Sequence, residues 1–244
     1  MGKIKISGVL SGILIVSALA IFLTACQKAT ATGSPTPSVS TYVLLMDLAP
    51  FSPTTQIFIN GAQASSAITP GNYNTTYSHL IPGTYDITFK TTSGDSVVAD
   101  IPSSTYDSLN FYTVILYNAD TIHKTSQALK IFDDFSQVSS LQTYFRFFDL
   151  CPGLPAADLY LNGNLVQQNR TSADIAGAGS QYTLFHGMPA NAYNVQLKKA
   201  GTDSVLLTLG GANFSAGNAY TVFVSGAANN GSFPIALNVV QASY

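Results

Sequence analysis

The chain contains no glutamate and no tryptophan, and only 9% of its 244 residues are charged. All 12 acidic residues are aspartates, set against 10 lysines and arginines, for a formal net charge of −2. Lys3 and Lys5 sit in an N-terminal leader, so no basic stripe is left to neutralise phosphates, and nucleic acid is not expected as a partner. The scarcity of Glu, Lys and Arg removes strong helix formers. Without Trp there is no Cys…Trp…Cys core of the antibody kind, and a ring often used for stacking on sugars is missing. Cys26 and Cys151 are the only cysteines, and His79, His123 and His186 the only histidines. None of them stands at metal-ligand spacing. There is no Gly-x-Ser-x-Gly elbow, no phosphate-binding loop and no dense Asp-x-Asp-x-Asp loop. Asp47, Asp149 and Asp158 fall at strand ends, where Asp caps turns, and Asp133-Asp134 lies near a domain junction. Catalysis, a cofactor and a bound metal are therefore not expected.

What is abundant is Tyr (13), Phe (14), Gly (19) and β-branched and small polar residues. These suit half-buried strands and tight turns. A stretch occurs twice: Tyr42–Gly61 and Tyr144–Gly163, with Asp47/Asp149, Pro50/Pro152 and Gly61/Gly163 each 102 positions apart. The match continues through Tyr85/Tyr193, Asp95-Ser96-Val97/Asp203-Ser204-Val205, Tyr112-Thr-Val/Tyr220-Thr-Val and Ala128-Leu129/Ala236-Leu237, where the spacing has grown to 108. Most of the extra length is expected in the Gly-rich loop Asp174–Ser180. Asn60-Gly61 is a strong hairpin turn signal. The strands expected in the first copy are 42–47, 56–60, 62–67, 73–80, 84–90, 97–101, 109–117 and 128–132. In the second they are 144–149, 158–161, 181–185, 192–197, 205–209, 219–224 and 235–239. Short strands with regular turns predict an all-β fold: two tandem immunoglobulin-like β-sandwiches at 42–135 and 144–244, joined by a short linker. In the run Tyr144-Phe-Arg-Phe-Phe148, alternation sends some rings into the core and others against the first domain.

Residues 1–25 combine a positive start, an apolar run from Ile6 to Leu23 and Leu23-Thr24-Ala25 before Cys26. This resembles the lipobox of bacterial lipoproteins, which implies cleavage before Cys26 and acylation of its thiol, palmitate being one such chain. Residues 26–41 read as the lipidated Cys and a flexible tether, polar and proline-bearing, with a reach of about 20 Å. The resemblance places the protein in the cell envelope, at the outer membrane, held by a lipid anchor.

The opening strand, the strand ending in Asn-Gly, Pro82-Gly-Thr-Tyr85 and Gly217-Asn-Ala-Tyr-Thr-Val222 together resemble the DUF4397 domain of bacterial envelope proteins. The motifs read most clearly in the second copy, and first-copy Gln56 stands where the family usually has Asp. The two-copy lipoprotein style is similar to that of Bacteroidetes. Asp95-Ser96-Val97, Asp107-Ser108-Leu109, Asp120-Thr121-Ile122 and Asp203-Ser204-Val205 resemble the O-glycosylation sites of that group, which implies Ser96, Ser108, Thr121 and Ser204 as acceptors. The resemblance brings no activity. It implies a structural module, or one that binds an envelope protein or glycan, with a glycan-binding accessory lipoprotein of a polysaccharide-uptake system as the alternative. The oligomeric state is left open. Function is expected where the copies differ, in the loop Arg170–Ser180 and at the domain junction.

Cys26→Ser is expected to release the protein from membranes or leave it unprocessed. Normal processing with unchanged membrane retention would contradict the anchor. The intact mass of protein from its native host reads both modifications, and an unmodified mass removes them.

Overall fold

A computed structural model describes residues 39–177 and 179–242. The leader, Cys26 and nearly all of the tether lie outside the described residues. The first half holds β1 (Thr41–Asp47), β2 (Thr55–Ile59), β3 (Ala62–Gln63), β4 (Ser78–Leu80), β5 (Gly83–Thr91), β6 (Val97–Tyr106), β7 (Phe111–Asn118) and β8 (Ser126–Phe132). The second half holds β9 (Thr143–Asp149), β10 (Ala157–Leu161), β11 (Asn164–Arg170), a short helix α1 (Asp174–Gly177), a 3₁₀ turn (Gly179–Tyr182), β12 (His186–Met188), β13 (Asn191–Lys199), β14 (Val205–Phe214), β15 (Ala219–Ser225) and β16 (Ala236–Ala242).

Each half is a sandwich of two four-stranded sheets, ordered β4-β1-β7-β8 over β3-β2-β5-β6 and β12-β9-β15-β16 over β11-β10-β13-β14. The all-β, two-sandwich architecture is as the sequence predicts. The first strand of each half runs parallel to the seventh, with Leu44 beside Thr113 and Arg146 beside Thr221. In antibody domains the first strand lies beside the second instead. Both Asn-Gly turns have the left-handed conformation that a two-residue hairpin demands, with φ of 49° and 79° at Asn60-Gly61 and 49° and 81° at Asn162-Gly163. Two tyrosine pairs tie strands to their preceding turns. Tyr85 and Tyr193 donate to the carbonyls of Ile81 and Pro189, both at 2.7 Å. The hydroxyls of Tyr112 and Tyr220 accept from the N–H of Asp107 (3.1 Å) and Ser215 (3.0 Å). The repeated Tyr positions are therefore turn fasteners.

The structure corrects several sequence expectations. The second half has eight strands where seven were expected, because the polar run Asn164–Arg170 forms β11 against β10. Apolar alternation is faint there because most of the strand is exposed. The expected strand 181–185 is instead the end of the 3₁₀ turn and a short connection to β12. The stretches 62–67 and 73–80 contract to β3 and β4, with isolated bridges at Ile68 and Tyr73. Ladder register pairs Ala128 with Leu116 and Leu237 with Val224, so Ala128 is equivalent to Leu237 rather than to Ala236.

Among the described residues the four sheets share three large cores and a small cluster of Tyr144, Ala219 and Ala242. Tyr112, Val114, Leu116, Ile87 and Phe89 pack inside the first sandwich. Phe145, Phe147, Val195, Leu197, Tyr220 and Val222 pack inside the second. Between them, Leu44, Met46, Leu48, Ile115 and Ile131 of the first half meet Phe148, Leu150, Phe223 and Val240 of the second. The sheets containing β1 and β9 therefore face each other, and their central strands are covered on both sides. β9 and β15 are buried along their whole length, as expected for strands with no solvent face. Linker residue Phe135 packs edge-on to Phe111 (5.2 Å) and stacks on Phe185 (5.3 Å), so the linker holds both halves.

One charge lies in this middle layer. Arg146, fully buried, donates to Thr221 in its own half (2.9 Å), to Thr113 in the other (3.0 Å) and to Asp133 (2.6 Å). Asp133 also accepts from Tyr77 (2.7 Å) and Thr113 (2.6 Å). The guanidinium stacks on Phe185 at 4.4 Å and Phe148 at 4.8 Å. Removing one member of such a pair leaves the other buried and uncompensated. Arg146→Leu is therefore expected to cost roughly 3–5 kcal/mol in urea unfolding. Adding Asp133→Leu should recover only part, because Tyr77 and Thr113 lose their acceptor. A single-variant cost below about 1 kcal/mol would contradict the role given to the pair.

Candidate functional site

Each sandwich gapes at one edge, where the strands flanking β1 and β9 are only three residues long. In the first half the gap is a cleft of about 380 Å³ between β3 and β4, walled by Val43, Leu45, Ile57, Ile59 and Leu80, with Ser65, Asn74 and His79 also lining it. In the second half the equivalent gap is a cleft of about 570 Å³ between β11 and β12, lined by Phe145, Gln167, Gln168, Arg170, Gln181, Tyr182 and His186. The register makes Val43 equivalent to Phe145 and Leu80 to Met188, so both clefts occupy one place in the duplicated scaffold. They differ in chemistry: an apolar slot in one half, and an amide- and ring-lined groove in the other.

Arg170 organises the second cleft. It is almost fully buried and donates to Asp174 (2.6 Å), to the Phe147 carbonyl (3.1 Å) and to Gln167. In the first half the carbonyl equivalent to Phe147, that of Leu45, accepts from the backbone of Asn74 at 2.8 Å. A side chain thus does in one copy what the main chain does in the other. Tyr182 lies over the guanidinium at 4.2 Å. Asp174 also accepts from the N–H and hydroxyl of Thr171, at 3.1 and 3.0 Å, which pins the turn before α1.

The residues singled out in the sequence disperse. Cys26 lies outside the described residues. Ser96, Ser108, Thr121 and Ser204 are all exposed, outside the strands, in the segments before β6, β7, β8 and β14. Asp120 accepts from the N–H groups of Ile122 (2.8 Å) and His123 (2.6 Å), which closes the turn carrying Thr121 and lowers the Asp120 pKa. His79 pairs with Tyr42 and His186 with Phe145, one register step apart, so their side chains are not equivalent. Cys151 is buried in the second core and its thiol is pushed up to about 12 by burial, which leaves it an inert core residue. Phe147 and Phe148 are buried on opposite sides of β9, and the aromatic run forms no platform. Among the described residues, no group of three or more His, Cys or Asp could hold a metal. Arg146, Tyr182 and the three glutamines escaped sequence reasoning. The available signal was that the chain has only two arginines, one of them inside an apolar aromatic run.

Asp47 and Asp149 cap their turns as expected, accepting from the N–H of Ala49 (3.4 Å) and Cys151 (3.0 Å). Thr55 also donates to Asp47, at 3.3 Å. Oδ2 of Asp149 has no partner among the described residues. Burial outweighs these bonds and raises both carboxyls to about 7. An unfolded Asp titrates near 3.9. Between about pH 4 and 7 the folded chain therefore holds more protons than the unfolded one, and stability falls as pH rises through that window. The urea midpoint is expected to be highest near pH 4 and to decline to about pH 7. The double variant Asp47→Asn, Asp149→Asn should flatten that slope, and an unchanged slope would contradict the assignment.

No curated protein matches the chain. Residues 41–160 match the family DUF4397, described as a domain of unknown function. The match runs through the first sandwich, the linker and β9 and ends within β10, so it covers the first copy and only the opening of the second, where the motifs were expected to read most clearly. From β1 to Tyr160, then, the chain carries a DUF4397 domain.

Proposed function

We propose that this is a lipid-anchored cell-envelope protein with no catalytic role, whose two sandwiches form one rigid module for binding an envelope protein or glycan. In this reading the second sandwich is a second copy of the DUF4397 domain, and Cys26 carries the anchor at the outer membrane. Ser96, Ser108, Thr121 and Ser204 are surface acceptors of O-glycans, a role their exposure favours. The observation that carries the binding reading is the pair of clefts at equivalent sites with different linings. A duplicated scaffold that keeps its turns and changes its clefts is built to present two chemistries on one body. The leader's apolar run ending at Cys26 supports the anchor. The accessory role in polysaccharide uptake is favoured by one feature, the amide- and tyrosine-lined second cleft.

Cross-linking and pull-down of the full-length protein from its native membrane tests the reading. One envelope protein or one glycan should be enriched over a control lipoprotein. Recovery of neither, at cross-linker doses that capture known envelope pairs, would contradict it.

A further inference from the structure

We propose that the cleft of the second sandwich is a subsite for an uncharged saccharide, an inference that rests on the binding-module reading above. The second half has its extra residues here. Gly61 and Gly163 are 102 positions apart, whereas the register-matched Leu80 and Met188 are 108 apart. The added length falls between the β10–β11 turn and β12. β11 runs seven residues where β3 has two. The result is a taller cleft wall, and Arg170, Asp174 and Thr171 fasten it from behind.

Charge decides against an anion. Arg170 is the one Lys, Arg or Asp in the described lining, and its ion pair with Asp174 at 2.6 Å neutralises it. Hydrogen-bonding capacity then favours hydroxyls. The amides of Gln168 and Gln181 each offer both donors and acceptors, as sugar hydroxyls do, and Gln167 adds donors. Gln167 gives its oxygen to Arg170, which leaves its NH₂ group as a donor. Tyr182, held by the guanidinium, with Met188 beside it, supplies apolar surface for the C–H face of a sugar ring. The cleft volume, about 570 Å³, lies within the range of small-ligand sites. The first cleft, with its aliphatic walls, has one amide, that of Asn74, and no tyrosine or phenylalanine ring.

The test uses the full-length protein with a panel of neutral hexasaccharides (maltohexaose, xylohexaose, laminarihexaose and mannohexaose) and a galacturonate hexamer as the charged control. Saturation-transfer NMR detects binding and calorimetry measures it. At least one neutral hexasaccharide should bind. Tyr182→Ala and Gln168→Ala should each weaken it by about tenfold or more. Gln168 is exposed, so its replacement leaves the fold intact. Gln137→Ala, an exposed amide in the linker, should change nothing. The proposal is overturned if no neutral hexasaccharide binds, if only the galacturonate hexamer binds, or if binding ignores both cleft variants. A protein partner captured from the membrane and indifferent to Tyr182→Ala would overturn the saccharide while leaving the binding module standing.

Discussion

A guanidinium sealed from water must find a partner for its charge and its N–H groups, and Arg146 finds them on both sides of the sandwich-to-sandwich boundary. Thr221 and Thr113 occupy equivalent positions in the two halves, and both accept from it. The equivalent of Arg146 itself is Leu44. The facing sheets are thus near-copies made unlike at one point. A purely apolar face between two flat sheets could slide by a residue pair at little cost. A buried charge that must meet Asp133 and Thr113 cannot. From this follow the full burial of β9 and β15, the linker packed through Phe135, and a single body in place of two beads.

Alternation and turn chemistry were legible because they are local. Asn60-Gly61 and Asn162-Gly163 need left-handed backbone, and the sequence states as much. The alternation Tyr85, Ile87, Phe89 put a strand where β5 lies. Legibility failed where the apolar pattern is faint or the deciding partner is distant. β11 is polar and exposed, so only its pairing with β10 makes it a strand. Gln181–Phe185 looks like a strand by composition, yet the chain there wraps Tyr182 against Arg170. His79 and His186 share a sequence context but differ by one step of register, which no local pattern records.

The cleft pair follows the same division. The edge gap belongs to the scaffold that the two halves share, whereas its lining differs between them. Of the loop Arg170–Ser180 in which function was expected, Arg170 lines the larger cleft, beside Gln181 and Tyr182 just after it. What could not be read was the role of Arg170, because the carbonyl it satisfies, that of Phe147, is paired by the backbone of Asn74 at the matching place in the other copy.

The claim on which all this depends is that the two sandwiches move as one. Backbone ¹⁵N relaxation of the full-length protein measures it directly. Amides of 41–132 and 143–242 should report a single rotational correlation time and a common diffusion tensor. Two distinct correlation times, each near that of an isolated sandwich, would contradict the account.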